Sequence, residues 1–229
     1  MTVVYCFSGT GHSMAVAEFF REQLQCPLHI IGRESLWEET PAETAVIVFP
    51  VYCQNIPAPV KKCLRTIRAK YTVPVATYGG ICPGNVLWDA QKLLEGTVIA
   101  GACVPTGHTF LQEDATFDPC PLLPVLERIR KPLPVCIPWK GKNPFSDFLP
   151  EWRSRVGVKL VRTEECNHCG LCEQKCPMGA MEDGIAGKGC IRCLHCVSIC
   201  PRKALKTENR WILKRYLSCK KRIETVVYL

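Results

Sequence analysis

The sequence predicts an α/β doubly wound parallel sheet followed by a small α+β unit built around cysteines. Three observations carry that expectation. Strand-like and helix-like segments alternate over the first 130 residues, as in parallel βαβ units. A glycine- and hydroxyl-rich loop, Ser8–Ser13, follows the first strand-like run and opens the first helix-like one. Towards the other end the spacing C-x2-C-x2-C-x3-C-P occurs twice, at an offset of 24 residues.

Val3–Phe7 is a short apolar run of buried-strand type. Met14–Leu24 has apolar residues at 14, 16, 17, 19, 20 and 24, a helical pattern. Leu28–Ile31 and Thr44–Phe49 read as strands two and three, Ala58–Arg68 as a helix, Val73–Tyr78 as strand four and Val86–Leu94 as a helix. Thr97–Val104 reads as strand five and Leu122–Lys131 as a closing helix. Pro132, Pro134, Pro138, Pro144 and Pro150 then break regular structure, so Leu133–Trp152 is expected to be irregular. Trp139, Phe145, Phe148 and Trp152 argue that this segment wraps a domain rather than hanging free. Gly179–Gly189, between the two cysteine runs, suits a short hairpin. The expected organisation is a sheet domain at 1–132, an ordered connection at 133–157, a cysteine unit at 158–206 and a basic C-terminal helix at 207–229.

Hydrophobic residues make up 47% of the 229 and charged residues 22%, values of a globular chain. No apolar run approaches the roughly 20 residues of a membrane span. Met1–Phe7 has no basic n-region or small-residue cleavage site, so no signal peptide is expected. Of 17 cysteines, nine lie outside the paired runs without a framework spacing. Free thiols in that number fit a reducing interior, and the expected compartment is the cytoplasm. The net charge of +8 is uneven, because Arg202–Arg222 holds nine Lys/Arg against Glu208 alone. Within it, apolar residues at 211, 212, 213, 216 and 217 suit an amphipathic helix. Two readings are open: a solvated face that packs Trp211 and Leu217 inward, or a docking surface for an acidic redox partner. No recognition motif accompanies the charge, so nucleic acid is not an expected partner. Oligomeric state is not legible.

The two runs read Cys166, Cys169, Cys172, Cys176-Pro177 and Cys190, Cys193, Cys196, Cys200-Pro201. Soft thiolates at this spacing suit [4Fe–4S] clusters: three come from one loop, and the fourth reaches the other cluster. On that rule the first cluster takes Cys166, Cys169, Cys172 and Cys200, and the second takes Cys190, Cys193, Cys196 and Cys176. Structural zinc needs only four ligands and gains nothing from a third x2-spaced cysteine. Disulfides suit a small secreted scaffold, which this is not. About residues 158–206 resemble the bacterial-type two-cluster ferredoxins. His195, between two ligands, is read either as a hydrogen-bond donor to a sulfur or as solvent-exposed.

The Ser8–Ser13 loop contains no Lys or Arg and fits neither G-x4-G-K-[ST] nor G-x-G-x-x-G. Its glycines let successive N–H groups and a helix start face a small phosphate, and Ser8, Thr10 and Ser13 offer hydroxyls. The plainer reading is a capped strand-to-helix turn. Ser8-Gly9-Thr10-Gly11-His12-Ser13 resembles the [ST]-x-T-G-x-[ST] phosphate loop of flavodoxins. That resemblance implies FMN, a flavodoxin-like sheet of order 2-1-3-4-5, and a ligand at the ends of strands one, three and four. The other two ends are Pro50–Pro57 and Thr77–Asn85. There Pro50, Val51, Tyr52, Asn55, Thr77, Tyr78, Gly79, Gly80 and Asn85 are the candidates around the flavin ring. Tyr52, then Tyr78, would stack, although a core tyrosine is an equal reading for each. Gly79 and Gly80 would bring backbone N–H groups to the ring, while Asn55 and Asn85 are either pyrimidine-edge contacts or turn residues. Cys53 and Cys82, in the same loops, are read either as ring contacts or, mostly, as small buried fillers. His12 is either a phosphate partner or a solvent-facing histidine. Neither ring loop contains Asp or Glu, so the very low potential of ordinary flavodoxins does not carry over.

The whole resembles flavodoxin-like and ferredoxin fusion proteins of anaerobic prokaryotes. That implies electron transfer between FMN and two [4Fe–4S] clusters and on to redox partner proteins. Two other readings stand beside it: a flavin-dependent reductase fed by the clusters, and a flavin-free shell presenting a ferredoxin. The lack of an evident acid–base pair at the flavin loops favours the carrier.

Overall fold

In this computed structural model the described residues are 1–32, 41–111, 113–140, 150–219 and 223–229, with the backbone alone for 150–153. The first part runs β1 (Thr2–Cys6), α1 (His12–Leu24), β2 (Leu28–Ile30), β3 (Ala42–Pro50), α2 (Ala58–Thr66), β4 (Ala69–Tyr78), α3 (Val86–Leu93), β5 (Thr97–Val98), β6 (Gly101–Pro105) and α4 (Leu123–Arg130). The second runs α5 (Pro150–Gly157), β7 (Val158–Arg162), α6 (Leu171–Gln174), β8 (Met181–Glu182), β9 (Ile185–Ala186), α7 (His195–Ser198), β10 (Leu205–Asn209), α8 (Trp211–Leu217) and β11 (Val226–Tyr228).

The main sheet has the order β2-β1-β3-β4-β6-β11, with β5 also on β4. Every pairing is parallel except the last, β6 with β11. This is the mixed α/β, mainly parallel sheet that the alternation of segments implies, with two departures. The expected strand five is split: Thr72 pairs with Val98 and Val75 with Ala102, leaving Val73 and Pro74 opposite the interruption. A proline offers no N–H to a ladder, which accounts for the break. The second departure corrects 207–229 as a single basic helix. Thr207–Asn209 complete β10, only Trp211–Leu217 is helical, and Val226–Tyr228 return to pair with Gly101–Cys103. The run Val226-Val227-Tyr228 has strand propensity and covers a sheet edge that would otherwise be open.

Strand alternation sends side chains to two cores. Val4, Cys6, Val46, Val48 and Val75 meet α1 and α4 through Val16, Phe20 and Val125. Tyr5, Phe7, Ile47 and Phe49 meet α2 and α3 through Val60, Leu64 and Leu87. The same second core includes Ile191 and Cys193 from the cysteine unit. The front sheet and the cysteine runs thus share buried surface.

The proline-rich connection is tied down along its described part. Val135 N–H donates to Val98 O at 2.8 Å. The Gln91 amide donates to Ile137 O at 2.8 Å and accepts from Ile137 N–H at 3.0 Å, as a neighbouring strand would. Ile137 is buried, and Lys140 N–H donates to Asn85 Oδ1 at 2.9 Å. Trp139 stays exposed. Phe145 and Phe148, and the side chain of Trp152, lie outside the described residues. The expected irregularity ends at Pro150, which opens α5, because proline suits the first turn of a helix.

In the cysteine unit β7 and β10 pair antiparallel from Val158–Asn209 to Arg162–Leu205, so that pairing runs three residues past 206. β8 and β9 form a hairpin inside Gly179–Gly189. The 24-residue repeat is a repeat of backbone as well as of cysteines. α6 and α7 begin 24 residues apart, and positive φ recurs in register at His168 and Arg192, Gly170 and Leu194, and Gly179 and Lys203.

Candidate functional site

The eight cysteines divide four and four. One small cavity is lined by Cys166, Cys169, Cys172 and Cys200, and another by Cys176, Cys190, Cys193 and Cys196. The fourth residue of each set comes from the opposite run, as crossed ligation requires. Among the described residues no group of three His, Cys, Asp or Glu side chains is close enough together to hold a single metal ion.

The repeat extends to hydrogen bonds on sulfur. Ala180 N–H donates to Cys176 Sγ and Ala204 N–H to Cys200 Sγ, each at 3.3 Å. Such donors are one of the ways a protein sets a cluster's potential. Burial pushes the Cys193 and Cys196 thiols up to about 12. A bare thiolate is therefore costly at these positions, although backbone hydrogen bonds at Cys193 pull the other way.

The second run docks directly on the Ser8–Ser13 loop. His195 Nδ1 donates to Gly9 O at 2.9 Å, and a Cβ built on Gly9 would lie 2.2 Å from Cys193 O. Only glycine lets the two backbones come so close. The sequence reading set His195 between sulfur and solvent; the structure gives it a third role, bridging to the front domain. Arg155 Nε supports the same run by donating to Cys190 O at 2.9 Å.

Within the loop, Ser8 Oγ accepts from Gly11 N–H at 3.1 Å and Met14 N–H at 3.3 Å, which curls the chain. Ser13 Oγ pairs with Thr77 Oγ1 at 2.7 Å, and Thr10 Oγ1 with Thr109 Oγ1 at 3.0 Å. Gly11 sits at φ 93°, the left-handed conformation that starts α1. His12 is buried, not solvent-facing, and its Nδ1 has no hydrogen-bond partner among the described residues. Burial lowers its pKa, against the opposing pull of Glu113 and Asp114.

Beside the loop lies a cavity of ≈ 430 Å³, within the range of small-ligand and cofactor sites. His12, Pro50, Val51, Tyr52, Thr77, Tyr78 and Gly79 line it. Cys53 and Cys82 line it too, so they are wall residues rather than buried fillers. Of the phosphate-type loop only His12 lines it: Ser8, Gly9, Thr10, Gly11 and Ser13 do not, and Gly80, Asn55 and Asn85 also lie elsewhere. Gly80 holds a turn at φ 77°, Asn55 donates to Cys53 O at 3.0 Å, and Asn85 Oδ1 anchors Lys140. The two asparagines thus have turn and tether duties. Tyr52 reaches the cavity with its ring edge-on to Phe7, while burial, and less strongly the Cys193 thiol, pushes its hydroxyl pKa well up.

Two parts of the wall escaped the sequence reading. Thr106–Phe110, after β6, belongs to it, and Pro105-Thr-Gly-His-Thr-Phe110 carries the same Gly, Thr and aromatic signature as the recognised loops. The remainder, Val156, Gly157, Ile191, Ile212, Leu213 and Tyr216, comes from the second domain and no local pattern announces it. α8 thus presents Ile212, Leu213 and Tyr216 to the cavity and leaves Trp211 72% exposed, the reverse of an inward Trp211. None of the cavity-lining residues is Asp or Glu.

The fold and the cysteine sites define an α/β protein that carries an iron–sulfur domain. A family model for a 4Fe–4S binding domain matches residues 160–182. A ferredoxin of Chlorobaculum thiosulfatiphilum is 35% identical over 57 residues, covering 20% of this chain and 93% of that protein. Ferredoxin-1 of Chlorobaculum tepidum is 35% identical over 59 residues, covering 21% of this chain and 95% of that one. Through this C-terminal segment the chain belongs to the ferredoxins, and the segment is a 4Fe–4S electron-carrier domain. An uncharacterized protein of Methanocaldococcus jannaschii is 36% identical over 63 residues, 27% of this chain but only 26% of that relative's length. The crystal structure of a Bacteroides uniformis protein, provisionally named a flavoprotein, matches 48% of this chain and 93% of that one. Its identity of 16% and TM-score of 0.37 are too low to bear on fold or ligand. No helix among the described residues is long and apolar enough to cross a membrane.

Proposed function

We propose that this chain is a cytoplasmic electron carrier holding two [4Fe–4S] clusters and one FMN, exchanging electrons with redox partner proteins. The observation that carries the proposal is the division of eight cysteines into two four-thiol cavities, one of which adjoins a third, ligand-sized cavity beside a neutral phosphate-type loop. Cys166, Cys169, Cys172 and Cys200 hold the first cluster, and Cys176, Cys190, Cys193 and Cys196 the second.

The residues of the third cavity fit FMN. Ser8 Oγ takes up the Gly11 and Met14 amides in curling the loop, which leaves the amides of Thr10, His12 and Ser13 at the start of α1 to face a phosphate. The orphaned, buried His12 Nδ1 is the kind of polar atom that a bound group satisfies. Tyr52, Tyr78, Phe110 and Tyr216 supply aromatic walls. Bound FMN would supply an exchange between two-electron and one-electron chemistry. The protein's part is to hold and orient the group, and to exclude water with α8.

Anaerobic purification with quantification of iron, sulfide and FMN tests this reading. About eight irons and one FMN per chain are expected. Eight irons without flavin would leave a ferredoxin on a flavin-free shell, and four irons would overturn the second cluster. Turnover of a quinone or nitroaromatic with reduced ferredoxin would convert the carrier into a reductase.

A further inference from the structure

Resting on the reading above, we infer that the three sites are in a fixed order, with the first four-cysteine site as the port for a one-electron carrier protein. Electrons pass between that port and the cavity only through the second site and its Ile191–Cys193 segment. His195 is a positioning residue that holds this segment on the phosphate-type loop.

Three features fix the order. Ile191 lines both the cavity and the second four-cysteine site, so the thickness of one side chain separates them. Nothing from Cys166–Cys172 lines the cavity. At the far side Cys169 is exposed, whereas Cys193, its equivalent in the repeat, is buried against Gly9. Between the two sites, the half-buried Cys172 packs against the buried cluster that contains Cys176 and Cys196. Electron tunnelling falls off steeply with distance through the protein, so the route through the second site, which shares the Ile191 wall with the cavity, outruns a direct one from the first.

His195 makes that arrangement rigid. Its bond to Gly9 O is made next to Cys193 O, and Tyr52 Oη lies 3.0 Å from the Cβ position of the same Gly9. Leu171, its repeat equivalent, cannot form such a bond. In the reducing direction each donor loses one electron at the port. With FMN held in the cavity, two such deliveries and two protons from water would account for its two-electron reduction.

The test starts from holoprotein whose iron, sulfide and FMN have been counted, so that failure of the cofactor reading is seen before any electron moves. A chemically reduced small ferredoxin is mixed in, and bleaching of flavin absorbance is followed in a single turnover alongside the EPR signals of the clusters. Cys200→Ala should remove the first cluster, keep the second and the FMN, and slow bleaching at least tenfold. An unchanged rate in that protein overturns the order. Cys166→Ala, which removes another thiol of the first site, carries the same test if Cys200→Ala does not fold. His195→Ala keeps every cluster ligand and tests the positioning role. With both EPR signals intact it should slow cluster-to-flavin transfer about tenfold and speed amide exchange across Ser8–Ser13. His195→Asn, which restores a donor near Nδ1, should recover both. Unaltered transfer and exchange in His195→Ala would overturn the positioning role.

Discussion

Residues 166–177 and 190–201 share one cysteine spacing and one pattern of left-handed backbone, yet they live in opposite surroundings. Cys190, Cys193 and Cys196 are buried; Cys169 is exposed, with Cys166 and Cys172 half-buried. The residues between the cysteines explain the difference. Where the first run has Asn167 and Gly170, the second has Ile191 and Leu194, both buried. Leu194 even adopts φ 59°, a conformation that Gly170 takes without steric cost and a branched side chain does not. Burial of the leucine against its neighbours offsets that strain. The lesson is that the ligand spacing sets the cluster chemistry, while the residues between ligands decide which site faces a partner and which faces the rest of the chain.

Loss of a whole cluster is the largest break in the comparison. Cys176→Ala lies in the exposed run but should empty the buried site, lowering iron from about eight to about four per chain. EPR and iron counts check it, and loss of the first site instead would refute the crossed ligand sets. Next in size is the contrast between Ile191 and its repeat partner. Ile191→Ala deletes a side chain that is 4% exposed and should cost about 2–5 kcal/mol, read as a fall in the anaerobic urea midpoint. Asn167→Ala, on the exposed equivalent, should stay within about 0.5 kcal/mol. Equal effects would mean that the two runs are not packed differently.

A smaller wedge separates the domains without touching a ligand. Gly9→Ala places a methyl 2.2 Å from Cys193 O, a backbone atom that cannot swing aside. The overpacking should cost about 1–3 kcal/mol and raise protease sensitivity in the connection 133–157, while both cluster signals persist. Unchanged protease sensitivity would show that the close approach of the two domains is not needed.

How much of this was legible follows from where the signals sit. The first four strands were legible as apolar runs, because both faces of such strands are buried and read as continuous hydrophobic stretches, while their order came from the resemblance to flavodoxins. The eight cysteines were legible because cluster ligation is set by spacing along the chain. Pro74 was visible but not its effect on the strand beside it, since ladder gaps depend on a neighbour distant in sequence. β11 is three residues long, too short for any periodicity, and only the open edge of β6 gives it a partner. The cavity wall supplied by Ile191, Leu213 and Tyr216 was illegible for a similar reason. Domain docking joins residues that no local pattern relates. His195 shows the limit most clearly: its chemistry was evident beside two cysteines, but its acceptor, Gly9 O, lies 186 residues away.

The mildest prediction concerns the front side of the same junction, where His12 is buried with an unpartnered Nδ1. Burial lowers its pKa despite Glu113 and Asp114, so the folded protein favours the neutral ring. The unfolded chain protonates it near the ordinary value of about 6.5. Between that value and the depressed one, the unfolded state binds more protons, so stability is full above about pH 6.5 and falls as the pH drops through this window. The slope from one such group is at most about 1.4 kcal/mol per pH unit. His12→Asn should flatten it, with thermal midpoints between about pH 5 and 7 as the measurement. Adding inorganic phosphate should shrink the slope in the wild type but not in His12→Asn, because a dianion at the loop favours the protonated ring. If phosphate leaves the wild-type slope unchanged, His12 does not face the anion.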